Sequence, residues 1–491
     1  MSDQGHGVSG FYSSTTALLI NEERGSLQCH SHASRPSLSK VIEEMKQLYV
    51  IALPMIITGL LIYGKSAISM FFMGKLGKEA LAGGSLSIGI ANITGYYVIS
   101  GLAMGMEAIS SQGCGAKQWP LMGQTLQRIM AILVLAHPVI SSVTSTYLAL
   151  SLPDLLFQCL INPLRIYLRT QNITLPLMLS AAFALVLHAP INYILLYHLS
   201  LGIQGVAVAV AMTDLNLLLT LLFYMRFSGI CDKTWQGWSL ECFDEWKPTI
   251  SSAIPSCVSV CLEWWWYELM IVLSGLLTNA SDAVATSGIL MQATSLICIF
   301  PSSLGLAVSA RVGNELGANR PSKAKISSIV ALLCAVFSSF TATLFMITMR
   351  NAWGRIFTND EAILSMTAMV MPVAGLCEVG NYLQTTGCGV LRGSARPTLG
   401  ANINLGSFYG VGLPVAVLMG FSIDVGLLGL WFGLLTAQVV CALCMVVVVA
   451  RTDWMVQAKR VGQLTSINVG DGDEDEEESK IKGVISVMVR K

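Results

Sequence analysis

Charge is what this chain has least of. Asp, Glu, Lys and Arg make up 12% of its 491 residues, about half the share of an ordinary soluble domain. The 29 basic and 29 acidic residues balance, so no net charge points to nucleic acid as a partner. No Gly-x-x-x-x-Gly-Lys-Ser/Thr loop is present, and no soluble segment is large enough to hydrolyse ATP, which excludes a nucleotide-driven pump. Energy must come from an ion gradient, or transport must be passive. Residues 1–39 are rich in Ser, Gly and His and lack the apolar core of a secretory signal, so the first span is expected to direct its own insertion. The thirteen cysteines are scattered, mostly inside apolar runs. They read as small packing residues and support neither a metal site nor a cofactor.

What is abundant is apolar surface, 54% of the residues. Runs such as Ile289–Ser309 and Leu427–Ala450 reach the ~20 residues needed to cross a bilayer. Spans are expected near 48–73, 86–110, 121–136, 143–162, 174–197, 203–226, 248–277, 284–309, 325–349, 364–391, 398–421 and 425–450. The chain therefore reads as an all-α integral membrane protein of about twelve transmembrane helices.

The chain also repeats itself. Pro54, Gly105 and Gly115-Ala116 recur as Pro255, Gly305 and Gly317-Ala318, at offsets of 200 to 202. Leu168-Arg169, Pro190 and Gly202-x-x-Gly205 recur as Leu391-Arg392, Pro414 and Gly426-x-x-Gly429, at 223 or 224. Six spans per half place both halves the same way up, a parallel repeat of two six-helix lobes. The offset grows from 202 to 223, so the first half is short by roughly 21 residues between Lys117 and Leu168. Because Ala136 is followed directly by His137-Pro138, the loss is expected at the end of the third span. That span would then be truncated to about 16 residues, some 24 Å at 1.5 Å per residue.

Thirteen Lys and Arg, from Lys117 to Arg451, fall in loops on one side. Only Lys75, Lys78, Arg350 and Arg355 fall on the other, which puts both termini in the cytosol. Asp471-Gly-Asp473-Glu-Asp-Glu-Glu-Glu478 repels itself and reads as part of a disordered tail. The expected organisation is a disordered cytosolic segment 1–39, an amino-terminal lobe 40–232, a carboxy-terminal lobe 233–450 and an acidic tail 451–491.

Ionisable side chains inside spans are functional candidates, because a charge near the bilayer centre is costly. Glu263, in Cys-Leu-Glu263-Trp-Trp-Trp-Tyr-Glu268, and Glu378, in Cys-Glu378-Val-Gly-Asn381, lie deepest. A carboxyl facing a partly dry cavity holds a proton and releases it when the cavity changes, so both are candidates for proton coupling. The alternative is a protonated carboxyl bonded within the bundle. Glu268 lies about 140° round the helix from Glu263 and reads as a packing or interhelical group. At most two of Trp264–Tyr267 can face a cavity, with Trp264 and Tyr267 the candidates. Asn192, Asn381 and Gln384 are polar at depth and suit either ligand contact or interhelical bonds. Arg165 and Arg169 read as anchors at the cytosolic boundary.

Taken together, Cys-Leu-Glu263-Trp-Trp-Trp-Tyr-Glu268, Leu-Pro-Asp154-Leu-Leu, Pro163-Leu-Arg165-x-x-Leu-Arg169, Arg311-Val-Gly-Asn-Glu-Leu-Gly317 and Gln384-Thr-Thr-Gly-Cys-Gly-Val-Leu-Arg392-Gly resemble the plant members of the multidrug and toxic compound extrusion (MATE) family, over residues 40–460. The resemblance implies a V-shaped, two-lobed antiporter that exports organic compounds in exchange for protons. It places the proton site on acids matching Glu263 and Glu378. Glu378 departs conservatively from a frequent Asp, and Ser69 stands where many bacterial relatives carry an aspartate on the first span.

The function expected is thus a proton-coupled antiporter for small organic molecules, xenobiotics or secondary metabolites, embedded in the lipid bilayer as a monomer. It would act by alternating access, without enzymatic activity. Vacuolar, endosomal, Golgi and plasma membranes are all open locations. An uncoupled channel or facilitator is one alternative. A non-transporting interaction protein, suggested by the short third span and the acidic tail, is the other.

Overall fold

A chain of long apolar runs in a waterless hydrocarbon layer must satisfy its backbone N–H and C=O groups internally, and only helices do so one segment at a time. The computed structural model describes residues 38–76, 89, 91–148, 152–235, 237 and 246–466, and no strand occurs among them. Helix α1 is Leu38–Leu76. Helix α2 is segmented, with a wide turn at Asn92–Tyr96, then Tyr97–Ala103 and Met106–Gly115. Next come α3 (Trp119–Leu148), α4 (Leu152–Thr170), α5 (Leu175–Tyr193, continued as Ile194–His198) and α6 (Gly202–Phe227). The second half holds α7 (Trp246–Ser274), α8 (Ala280–Gly317), α9 (Pro321–Met349), α10 (Glu361–Gly393), α11 (Pro397–Ser422) and α12 (Leu427–Ala450). From Glu44 onward both halves lie in one compact unit.

Among the described residues nine helices, α1 and α5 to α12, are long and apolar enough to cross a membrane by length and composition. Their outer faces carry Phe183, Val186, Phe223, Phe337 and Leu443, each more than half exposed. Exposed apolar surface on that scale calls for a lipid solvent. This is an all-α membrane protein.

Three expectations need correction. The third span is not truncated: α3 runs for 30 residues, as long as its counterpart α9 at 29. Pro138 does not stop it. A helix-interior proline costs about 3 kcal/mol, but ending a helix inside hydrocarbon strands several backbone groups, each at several kcal/mol. The deficit falls instead on the connection and on α4, which has 19 residues against 33 in α10. The fourth span accordingly starts at Leu152 rather than near 143. At 1.5 Å per residue α4 is ~29 Å long, still matched to a ~30 Å core.

The tail read as disordered from 451 begins with a further helix, α13 (Trp454–Ser466). Asp453 Oδ1 accepts from the N–H groups of Met455 and Val456 at 3.0 and 3.2 Å, an N-cap on the helix's free donors. Trp454, Ala458 and Val461 are buried, and α13 packs on α8 and α9. The acidic run 471–478 lies outside the described residues, as do 1–37.

Three of the repeated glycines, Gly105, Gly115 and Gly317, mark where the halves meet. A Cβ on Gly115 would sit 2.0 Å from the carbonyl oxygen of Asn314 on α8, and one on Gly317 would sit 2.0 Å from that of Gln112 on α2. The two contacts are reciprocal, as a pseudo-two-fold crossing of α2 and α8 requires. A Cβ on Gly105 would likewise lie 2.3 Å from the Cα of Ala253 on α7. Repetition in the sequence is thus written into the interface between the halves.

Candidate functional site

Helices that touch along one stretch separate along the next. On α2, Gly101 and Gly105 press against Cys257 and Ala253 of α7, whereas Asn92 and Tyr97, nearer the start of α2, line a cavity. On α7 the cavity-facing residues are Trp264, Tyr267, Glu268 and Ile271, and on α8 they include Gln292 and Cys298. Met70 of α1 completes the wall, around a space of about 250 Å³. The cavity lies between the two halves and ends where their glycines close.

Its lining is aromatic with a few polar groups. Tyr97 and Trp264 stack, ring centroids 5.3 Å apart at 15°, and Tyr267 follows at 6.1 Å from Trp264. Trp265 points outward, with Nε1 donating to the Ile93 carbonyl at 3.2 Å. Trp266 is fully buried against Phe408 and Tyr409. Four successive helical residues face every direction, so the aromatic run divides between cavity and packing. Flat aromatic faces suit flat or cationic organic molecules. Glu268, expected as a packing group, instead lines the cavity, because the wall takes in more of the α7 surface than the Trp264 face alone.

Glu263 and Glu378 lie behind this wall, joined by a chain of side chains. Gln384 Nε2 donates to Glu263 Oε2 at 3.0 Å. Thr385 Oγ1 stands 3.5 Å from Gln384 Oε1 and 3.2 Å from Asn381 Oδ1, and serves one of them at a time. Asn381 Nδ2 donates to Glu378 Oε2 at 2.8 Å. Glu263–Gln384, across α7 and α10, and Glu378–Asn381, within α10, thus form two bonded pairs, and the single Thr385 hydroxyl proton bridges to one or the other. Glu378, Asn381 and Gln384 are each at most 2% exposed, so bulk water does not short-circuit them. Cys298 and Tyr267 belong to the wall and lie within electrostatic range of both acids.

Asn192 does not join them. On α5, its Nδ2 bonds the His188 carbonyl at 2.9 Å and the His188 ring at 3.1 Å, and it is absent from the cavity wall. Its helix packs against α6 within the first half, which turns it away from α7 and α8.

Arg169 is not an interfacial anchor. It is 3% exposed and pairs at 3.0 Å with the fully buried Glu107 of α2, whose other oxygen lies 3.6 Å from Arg392 of α10. Gln112 adds a bond across the same seam, Nε2 to the Gly393 carbonyl at 2.9 Å. A buried carboxylate between two guanidiniums ties the closed ends of the halves together. The equivalence of Leu168-Arg169 and Leu391-Arg392 in the repeat was the signal that could have found it. A further buried set, Lys65, Asp154 and Asp214, also went unread as a group, because its members are spread over α1, α4 and α6. Among the described residues no group of His, Cys, Asp and Glu is arranged to hold a metal ion.

The MatE family model matches residues 54–144 and 255–418. Protein DETOXIFICATION 48 of Arabidopsis thaliana is 51% identical, over 89% of this chain and 86% of that protein. Multidrug and toxin extrusion protein 1 of Oryctolagus cuniculus is 32% identical, over 85% and 77%. Among solved structures, the eukaryotic MATE transporter AtDTX14 superposes with a TM-score of 0.83 at 28% identity, over 86% of this chain and 99% of that one. Half the chain under the family model, near-complete relatives and a shared fold lead to one conclusion: this chain belongs to the MatE family, whose members are membrane transporters and not enzymes.

Proposed function

We propose that the chain is a proton-coupled antiporter that exports small organic compounds by alternating access, with Glu263 and Glu378 carrying the coupling proton. The observation that carries this reading is the row of side chains Glu263–Gln384–Thr385–Asn381–Glu378, bridged by the Thr385 hydroxyl, directly behind the aromatic cavity. Two carboxyls on different helices, linked by amides that reorient, take up or release a proton when α7 shifts against α10. That shift moves Trp264 and Tyr267, which line the cavity on the same helix, so proton occupancy and cavity shape change together.

Alternating access needs one end to close as the other opens. The α2–α8 glycine crossing and the Arg169–Glu107–Arg392 pairs supply the closed end. With both termini in the cytosol, as the distribution of Lys and Arg supports, the cavity opens to the outer or luminal side, where substrate leaves. The printed name of the rabbit relative, multidrug and toxin extrusion protein, agrees with an organic cargo. Action as a monomer, and residence in a vacuolar, endosomal, Golgi or plasma membrane, belong to the same proposal. The full-length α3 removes one of the two motives for the non-transporting alternative.

The test uses the full chain in proteoliposomes under an imposed pH gradient, with ethidium uptake as the readout. Glu263→Gln, which keeps the amide partner but cannot ionise, is expected to cut gradient-driven uptake by ~10²–10⁴-fold, the range typical for loss of a proton-transfer group. Uptake by that variant at the full rate, with proton dependence intact, counts decisively against the proposal.

A further inference from the structure

The network behind the cavity leaves a second set of buried charges unused, all in the first half. Lys65 Nζ lies 2.7 Å from Asp214 Oδ1, and Gln158 Nε2 donates to Asp214 Oδ2 at 2.8 Å. Each oxygen of that carboxylate thus has a donor, a cation on one and an amide on the other. Asp154, 2% exposed, is different. Tyr96 Oη donates to its Oδ2, but its Oδ1 is buried with no donor facing it. What faces Asp154 is the Asp214 carboxyl, within hydrogen-bonding reach.

The remaining charged or titratable neighbours are Arg165, on the same helix as Asp154, and His188 on α5. His188 is held between Ser69 at 3.0 Å and Thr213 at 2.7 Å.

We propose that Asp154 and Asp214, sharing the single ammonium of Lys65, form a second proton-carrying centre, with the proton on Asp154. Two carboxyls in contact in a dry site do not both ionise. Lys65 is committed to Asp214, so the proton belongs to the oxygen that has no donor. Asp154 stands in the first turn of α4, where the helix's positive end favours a carboxylate, but two facing carboxyls in a dry site repel more strongly than that partial charge attracts.

Release follows from movement. Lys65 is the least buried member, its side chain 15% exposed, and it rides on α1. That helix also lines the cavity through Met70 and touches α8 where Gly59 faces the Ile299 side chain. When α1 shifts against α6, Lys65 moves from Asp214 to a place between the acids, both ionise, and one proton leaves Asp154. The role in transport rests on the antiporter reading. The protonation of Asp154 does not.

Infrared spectra of the purified full chain, grown with isotope-labelled aspartate, test the centre directly. The label shifts the C=O stretch of protonated Asp and leaves Glu263 and Glu378 unmoved. At neutral pH a labelled protonated-carboxyl band is expected, absent in Asp154→Asn and increased in Lys65→Met, where Asp214 without its ammonium takes up a proton as well. A wild-type chain without the band, or one whose band survives Asp154→Asn, overturns the proposal. Should Asp154→Asn fail to fold, Lys65→Met decides, and no gain of band overturns it.

In voltage-clamped proteoliposomes, one proton fewer per cycle lowers steady-state ethidium accumulation by Asp154→Asn about tenfold per imposed pH unit. Accumulation equal to wild type overturns the coupling role. Wild type that accumulates no ethidium counts against the antiporter reading instead, and the infrared result still decides the protonation centre.

Discussion

Replacing Gly115 by alanine puts a methyl group where the backbone of the other half already lies. The added Cβ would sit 2.0 Å from the Asn314 carbonyl oxygen and 2.7 Å from its carbon. Favourable contacts need about 3.5–4.0 Å. The obstacle is backbone, so no side-chain rotation relieves it, and α2 must part from α8 by more than about 1 Å. Overpacking of this kind costs about 1–3 kcal/mol, equivalent to a 5- to 150-fold shift between closed and open interface. Gly115 is the last residue of its helical segment and has no positive φ, so alanine would by itself favour the helix by about 0.5–1 kcal/mol. The sign of the result is therefore diagnostic. Hydrogen–deuterium exchange of the full chain in nanodiscs reads it at amides 112–117 and 314–319. Gly115→Ala is expected to accelerate exchange there by that factor, and Gly317→Ala to do the same from the other side. Gly288→Ala, with nothing within 4 Å of the added Cβ, serves as control. Wild-type or slower exchange in Gly115→Ala refutes the reciprocal crossing.

Other outcomes follow from the same packing. Glu107→Ala leaves Arg169 and Arg392 facing each other without their carboxylate, and is expected to cost about 3–5 kcal/mol, measured as a lower midpoint of thermal unfolding in detergent. Trp454→Ala, at a position 6% exposed, is expected to detach α13 at about 3–5 kcal/mol, read as fast amide exchange over 455–466 with α8 and α9 unchanged. A 21-residue insertion after Ala136 would split the continuous α3, so it should yield far less monodisperse protein on size-exclusion chromatography than the same insertion after Leu148. Equal yields would show that α3 ends near Ala136.

Much of the fold was legible because the bilayer reads sequence in one dimension. Runs of ~20 apolar residues are helices there for want of any other way to satisfy the backbone, and Glu263 and Glu378 stood out because a carboxyl inside such a run is costly. Where hydropathy is ambiguous the reading failed. Around Ala136 it took the polar pair His137-Pro138 for a boundary, although one interrupted turn costs less than a helix end in hydrocarbon. In α13, Asp453 and the spacing of Trp454, Ala458 and Val461 carried a signal that the acidic run further on obscured.

What the sequence alone determined is the solvent, the helical class, the repeated halves and the place of Glu263 and Glu378 inside spans, since each follows from local composition or from the repeat. What only the tertiary structure decided is which distant groups meet. Glu263 meets Gln384 across 121 positions, Lys65 meets Asp214 across 149, and Gln112 reaches Gly393 across 281. Such pairings depend on how helices rotate and cross, and that is set by close contacts like those at Gly115 and Gly317 rather than by the hydropathy of any one span.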